Sequence, residues 1–236
     1  MTNKVIIFDF DGTIADTYQA VVAIANGLST EFGYKPLDAE ALQLLKNLSS
    51  KEIIKQSEIS LFKLSFLVRR VQKELGKQVK NLKPIIGMPE ILAELKRQNC
   101  TLGIITSNAK ENVAAFLEKQ NISHLFDFIY SGATIFGKHR IINKVVRKYR
   151  LSKSVVFYVG DETRDIRSAQ KSQVSAIAVA WGFNSDKILS QYQPDFLVNH
   201  PSGILDAVFD RQKTVETEQI SLLDKTQVTL QDSFCF

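Results

Sequence analysis

The most constraining feature of this chain is the stretch from Val5 to Thr13. Val5-Ile6-Ile7-Phe8 is an unbroken apolar run, and Asp9-Phe10-Asp11-Gly12-Thr13 follows at once. A short β-branched and aromatic run stopped by a turn signal predicts a strand buried on both faces, as inside a parallel sheet. Side chains two apart on an extended segment point the same way. Asp9 and Asp11 are therefore expected to project together from the strand's carboxyl end, where open α/β sheets bind ligands. Two carboxylates this close repel unless a cation or a shared proton intervenes. A blander role is a turn at Asp11-Gly12 with Asp11 or Thr13 capping the next helix. Capping uses one acceptor and leaves the second aligned carboxylate without a purpose, so the pair is read as functional.

Composition narrows the class. A chain of 236 residues with 44% hydrophobic and 23% charged content suits one globular domain, or one domain with an insert. Cys100 and Cys235 lie far apart without CxxC spacing, which indicates neither a disulfide framework nor a zinc site and fits a reducing cytoplasm. Met1-Thr2-Asn3-Lys4 leads straight into the first strand, leaving no room for a signal peptide, and no apolar run reaches membrane-spanning length. Charge is uneven. Arg211, Lys213 and Lys225 against Asp210, Glu216, Glu218, Asp224 and Asp232 leave the segment from Asp210 at −2, so the preceding residues hold +7 of a net +5. The basic residues are scattered and lack aromatic interleaving, so a small anionic substrate explains them better than nucleic acid does.

In chain order, a helix is predicted from Asp16 to about Phe32, closed by Gly33, and another from Asp38 to Leu48. Ser49-Ser50-Lys51-Glu52 has the form of a capping box. Ser60 to Leu75 carries Leu61, Leu64, Val68, Val71 and Leu75 on one face, with Gly76 expected to end it. No strand signal interrupts residues 16 to 80, which predicts a helical insertion over the sheet's carboxyl edge. After Pro84 a βα rhythm resumes. Strands are predicted at Thr101 to Ile105, Phe128 to Tyr130, Val155 to Val159, Ala176 to Val179 and Phe196 to Val198, with helices from about Pro89, Lys110 and Lys138. The fold expected is a doubly wound parallel α/β sheet. Its core spans residues 1–15 and 82–209, an all-helical cap spans 16–81, and a polar tail spans 210–236, in which Ile220, Leu222 and Leu223 could form a docked turn.

Three strands thus end in residues that carry chemistry, and parallelism brings those ends to one edge. Thr106-Ser107-Asn108 opens a helix, so it serves either as an anion cradle or as an ordinary cap. Gly160-Asp161 with Asp165 adds either two more carboxylates to the site, or a cap plus an Arg164 to Asp165 pair. Lys138 alone would be a solvated lysine. Together, Asp9, Asp11 and Asp161 form an oxygen-rich cluster suited to Mg²⁺, and Thr106 with Lys138 forms a cationic cradle facing it. That pairing suits a transferring phosphoryl group, whose negative charge spreads over several oxygens. No GxxxxGK[ST] stretch is present, which excludes a P-loop enzyme.

Asp9-Phe10-Asp11-Gly12-Thr13, Thr106-Ser107-Asn108, Lys138 and Gly160-Asp161 with Asp165 resemble the four ordered motifs of the haloacid dehalogenase-like superfamily of phosphatases. The helical insert after the first motif, and Val179-Ala180-Trp181-Gly182-Phe183 after the fourth, resemble its phosphoglycolate phosphatase-like branch. One departure is Ser172-Gln173-Val174, where that branch carries a small residue and glycine. The resemblance implies a Mg²⁺-dependent phosphatase that hydrolyses a small phosphorylated metabolite through an aspartyl-phosphate. It implies Asp9 as nucleophile, Asp11 as general acid and base, and Asp9, Asp11, Asp161 and Asp165 around the metal. Phosphate contacts would come from Gly12, Thr13, Thr106, Ser107, Asn108 and Lys138. Asp11 favours phosphoryl transfer over carbon–halogen cleavage, because the dehalogenase branch lacks an acid there. A β-phosphoglucomutase-like phosphosugar mutase on the same core stays open as the alternative. Arg69, Arg70 and Lys73 either meet substrate or form a solvated face. His124, His139 and His200 show no ligand spacing, and Trp181 reads as packing. The expected partner is a small phosphorylated metabolite, with neither nucleic acid nor membrane, acting in the cytoplasm as a monomer or homodimer.

Overall fold

A computed structural model describes residues 3–56, 60–131 and 137–209. The predicted tail and its docked turn lie outside the described residues. At the centre is β1 (Val5–Phe8), every residue of it buried. Its neighbours are β2 (Thr101–Ile105) and β4 (Val156–Gly160), with Phe8 level with Ile104 on one side and Val159 on the other. Outside them lie β3 (Phe128–Tyr130), β5 (Ser175–Val179) and β6 (Phe196–Val198). The six strands are all parallel in the order β3-β2-β1-β4-β5-β6. This is the doubly wound sheet that the apolar runs predict.

Alternation along the strands splits the core in two. Ile6, Phe8, Leu102, Ile104, Phe157 and Val159 face α5 (Met88–Arg97), α6 (Lys110–Lys119) and α10 (Gly203–Phe209). Val5, Ile7, Val156 and Tyr158 face α7 (Lys138–Lys148), α8 (Thr163–Ser172) and α9 (Asp186–Gln191). With both faces covered, the strands have no polar side, which is why they read as continuous apolar runs.

Between β1 and the rest of the sheet come α1 (Tyr18–Phe32), α2 (Ala39–Lys46), α3 (Ser50–Gln56) and α4 (Leu61–Gln78). Gly33 closes α1 in the left-handed conformation, its N–H donating to the Ser29 carbonyl. The capping box is made as expected: Glu52 accepts from the Ser49 amide and hydroxyl, while Ser49 Oγ accepts from the Glu52 amide. Gly76 does not end α4, which runs on to Gln78. A Cβ at Gly76 would lie 2.4 Å from Asn112 Oδ1, so this glycine serves close packing against α6. Arg70 pairs with Glu31 and Glu74, so it belongs to the face between α1 and α4 and its charge is already met. Among the described residues, no helix is long and apolar enough to cross a membrane.

Candidate active site

The register of the sheet builds the site. Asp9 follows β1 directly and its amide donates to the Val159 carbonyl at 2.8 Å. Thr106 follows β2, and Asp161 follows β4. All three project from one edge because parallel strands share one carboxyl end. Lys138, the first residue of α7, and Asp165, in the first turn of α8, are carried to the same edge by the returning helices.

Lys138 is completely buried and places Nζ 2.6 Å from Asp9 Oδ2 and 2.6 Å from Asp165 Oδ1. Asp9, Asp161 and Asp165 each offer an oxygen within 4.8 Å of the other two. Burial opposes the Lys138 charge, but Asp165 and Asp9 outweigh it and hold the ammonium well above its ordinary range. Burial pushes Asp161 well above the carboxylate range, and the negative charges of Glu162, Asp9 and Asp165 add to it. Asp165 is raised to about 6 by burial, against the pull of Lys138. One lysine faces three buried carboxylates. The donor set is all oxygen, compact and short of positive charge, and it fits a hard divalent cation such as Mg²⁺.

The approach to Asp161 is kept narrow. A Cβ at Gly12 would fall 2.4 Å from Asp161 Oδ2, and one at Gly182 would fall 2.2 Å from it. Gly12 also has φ +74°, a left-handed turn that glycine adopts without strain. Thr13 Oγ1 donates to Asp161 Oδ1 at 2.8 Å, and the Phe183 amide donates to Oδ2 at 2.7 Å.

Asp11 is partly exposed at this edge. Asn108 Nδ2 donates to both its oxygens, at 3.1 and 3.0 Å. Burial of the carboxyl, then the Asp9 charge, raise Asp11 to about 7 against those amide bonds. A carboxyl with this affinity takes up and gives back a proton near neutrality.

The phosphate contacts expected from the motifs divide. Thr106 is fully buried, and its Oγ1 accepts from the Asn108 amide at 3.0 Å. Gly12 and Thr13 depart from the expectation. The Gly12 amide donates to the Ala15 carbonyl, the Thr13 amide to the Phe10 carbonyl, and the Thr13 hydroxyl to Asp161. Their donors close the turn and orient a carboxylate, leaving none for a ligand. Asn108 likewise spends its amide on Thr106 and its side chain on Asp11. Helix α6 begins at Lys110 with Ala109 as its cap, so neither Ser107 nor Asn108 is the cap. Arg164 pairs with Glu162, and Asp165 pairs with Lys138, so the Arg164 to Asp165 alternative is not what forms.

Some contacts carry no local sequence signal. Trp181 is partly buried against the core and donates through Nε1 to the Thr13 carbonyl at 3.2 Å, tying the segment after β5 to the first turn. Asn184 accepts from the Thr163 amide and donates to the Leu48 carbonyl. Gln72 of α4 donates to the Ser107 carbonyl at 2.8 Å, and Ser50 donates to Glu162 at 3.1 Å. The helices between β1 and β2 therefore touch the sheet's carboxyl edge on two sides of the carboxylate cluster. Only the glycine between two aromatics in Trp181-Gly182-Phe183 hinted at a role for the segment after β5.

Comparison with known proteins agrees with this geometry. Residues 6–179 match the family model described as haloacid dehalogenase-like hydrolase. A phosphoglycolate phosphatase from Synechococcus elongatus is 38% identical over 205 residues, covering 87% of this chain and 97% of the relative. The pyrophosphatase PpaX of Oceanobacillus iheyensis is 26% identical over 225 residues, covering 89% and 99%. Among solved structures, one described as a predicted phosphatase from Clostridium acetobutylicum superposes with a TM-score of 0.75 at 18% identity. It covers 89% of this chain and 100% of that one, and shares the fold. A buried lysine bridging two aspartates at the carboxyl edge of a 3-2-1-4-5-6 parallel sheet, matched to a family model over most of its length, places the chain in the haloacid dehalogenase-like hydrolase family, as an enzyme of its phosphatase type.

Proposed function

We propose that the chain is a Mg²⁺-dependent phosphatase that hydrolyses a small phosphorylated metabolite of the phosphoglycolate kind through an aspartyl-phosphate on Asp9. The observation carrying this reading is the position of Asp9, locked by Lys138 at 2.6 Å and flanked by Asp11, whose carboxyl is raised to about 7. A nucleophile needs its lone pair free and its orientation fixed. The bond to Lys138 and the Phe10 amide donated to Asp9 Oδ1 at 2.8 Å supply the orientation.

In the first half-reaction an Asp9 oxygen attacks phosphorus while protonated Asp11 delivers its proton to the departing ester oxygen. An alcohol leaves, and Asp9 carries the phosphoryl group. In the second, ionised Asp11 takes a proton from water as the water oxygen attacks phosphorus. Inorganic phosphate leaves and the Asp9 carboxylate returns. Asp11 ends each turnover protonated, as it began. The Thr106 hydroxyl hydrogen and the Lys138 ammonium would receive the phosphoryl oxygens. Asp9, Asp161 and Asp165 would hold Mg²⁺. When bound, the ion supplies positive charge that lets an anionic nucleophile meet an anionic ester.

The 38% identity to a phosphoglycolate phosphatase supports that substrate class. The α1 to α4 block is assigned the part of a cap that closes over the cleft, on the strength of its contacts through Gln72, Ser50 and Asn184. The buried free thiol of Cys100 agrees with a reducing cytoplasm, and the enzyme is assigned as a monomer or homodimer. A panel of small phosphorylated metabolites, assayed with Mg²⁺ and with chelator, tests the reading. Metal-dependent phosphate release with a preference for a two-carbon phosphorylated acid is expected. Conversion of a sugar 1-phosphate to its 6-phosphate without phosphate release would replace this reading with the mutase.

A further inference from the structure

On the flank of α8 away from the carboxylate cluster lies a cleft of about 510 Å³. Its walls bring together Lys51 from α3, Arg164, Arg167 and Lys171 from α8, His139 from α7, and Tyr192 after α9. Ser49, Ser50, Thr163, Ser168 and Gln170 supply the rest, and no lining residue is acidic. We propose that this cleft is a second ligand site, distinct from the catalytic centre, that takes a small phosphate-bearing anion.

Charge supports this first. Among the described residues, Lys51, Arg167 and Lys171 make no ion pair. The acids that reach these cations are engaged; Asp9 and Asp165, whose charges also act on Arg164, are held by Lys138. Glu162 is taken by Arg164 and Ser50, and Glu52, which feels Arg167, is held by the Ser49 amide and hydroxyl. Helix α7, whose His139 forms part of the wall, carries no acidic residue at all. Lys51, Arg167 and Lys171, unpaired and converging on one cleft, repel one another, and an anion relieves that repulsion.

Preorganisation is the second support. Arg167 lies over the Tyr192 ring, 4.7 Å from its centroid, and donates to the Tyr192 hydroxyl at 3.3 Å, so its guanidinium is already placed. Arg164 Nε is buried with no hydrogen-bond partner, while its Nη2 pairs with Glu162. Guanidinium groups and hydroxyls favour the tetrahedral oxygens of phosphate over a monoatomic anion.

The location gives the site a consequence. Ser49, Ser50 and Lys51 belong to the block between β1 and β2, whereas the other walls belong to the sheet's own helices. An anion held by both sides binds their docked arrangement in preference to a separated one, and so favours docking.

Titration calorimetry on the full chain in chelator tests the proposal, because without metal the carboxylate cluster repels phosphate. Inorganic phosphate, pyrophosphate and glycerol 3-phosphate are each titrated at constant ionic strength against a chloride control. Saturable binding of one equivalent of any of the three is expected, and which one binds tightest separates a free inorganic anion from an ester. The double variant Arg167→Gln/Lys171→Gln should weaken it by about tenfold or more, because two charge-assisted contacts are lost. The turnover of p-nitrophenyl phosphate with Mg²⁺ should be unchanged in that variant. Both side chains are exposed, and hydrogen exchange on the wild-type chain gives a second reading: phosphate should protect α3 and α8. No saturable binding beyond chloride overturns the proposal, as does undiminished binding by the double variant. Purely competitive inhibition of hydrolysis at the same dissociation constant also overturns it, since that would place the anion in the catalytic cleft.

Discussion

At the scale of the residue, the site depends on one buried ammonium shared by two carboxylates. Lys138→Met keeps roughly the length of the side chain and removes the charge, leaving Asp9 and Asp165 buried without their counter-ion. A loss of ~3–5 kcal/mol is expected in urea unfolding at pH 7.5, the usual penalty for one orphaned partner of a buried pair. The loss should shrink at pH 5, where Asp165, raised to about 6, takes up a proton instead. Asp9→Asn is different, because Lys138 keeps Asp165 and the fold should hold. Hydrolysis of p-nitrophenyl phosphate should fall by on the order of 10³-fold or more, as when a covalent nucleophile is removed. Normal circular dichroism together with lost turnover is the expected pair of results; retained turnover would remove Asp9 from the mechanism. Asp9, Asp11 and Asp161 were legible because acids directly follow apolar runs. Burial of Lys138 was not, because a lysine at a helix start looks the same whether solvated or enclosed. Asn108 reads from the sequence as a phosphate contact or an ordinary cap; its partner Asp11 lies far away in the chain, and local spacing says nothing of it.

At the scale of the element, helices and strands follow the apolar periodicity closely, and the differences lie at their ends. Helix α4 outruns Gly76 because a glycine near a helix end has two uses, and here packing against Asn112 prevails over termination. Helix α8 ends on Gln173 in the left-handed conformation at φ 58°, where the sequence departs from the glycine of the branch it resembles. The backbone has kept the turn and the side chain bears the strain, eased by a bond from Lys153 to Gln173 Oε1 at 2.7 Å. Gln173→Gly should therefore stabilise the protein by about 0.5–1 kcal/mol, because a left-handed cap costs glycine little. Urea denaturation checks this. No gain would mean that the exposed Lys153 bond matters more than the backbone conformation.

For the molecule as a whole, the excess of buried negative charge ties stability to pH. Asp11 holds its proton to about 7 and Asp165 to about 6 in the folded chain, against an ordinary value of 3.8. Between those values the folded state binds more protons than the unfolded one. The stability these groups contribute is present at low pH and lost as pH rises through the folded values. In the absence of metal the urea midpoint should be higher at pH 5.5 than at pH 7.5. Millimolar Mg²⁺ should narrow the gap by favouring the ionised cluster, an effect readable as a thermal shift. An unchanged midpoint across this range would mean that the carboxylates are better solvated than their burial implies. What the sequence by itself determined is the set of strands, their parallel class and the order of the motifs, because burial on two faces leaves its mark residue by residue. Tertiary structure alone decided which donors meet which acceptors. The Thr13 hydroxyl turns to Asp161, Trp181 reaches back to Thr13, and Lys51 and Arg167 line one cleft. Apolar periodicity records how an element faces its own core, whereas a hydrogen bond or a shared charge depends on a partner brought from a hundred or more residues away.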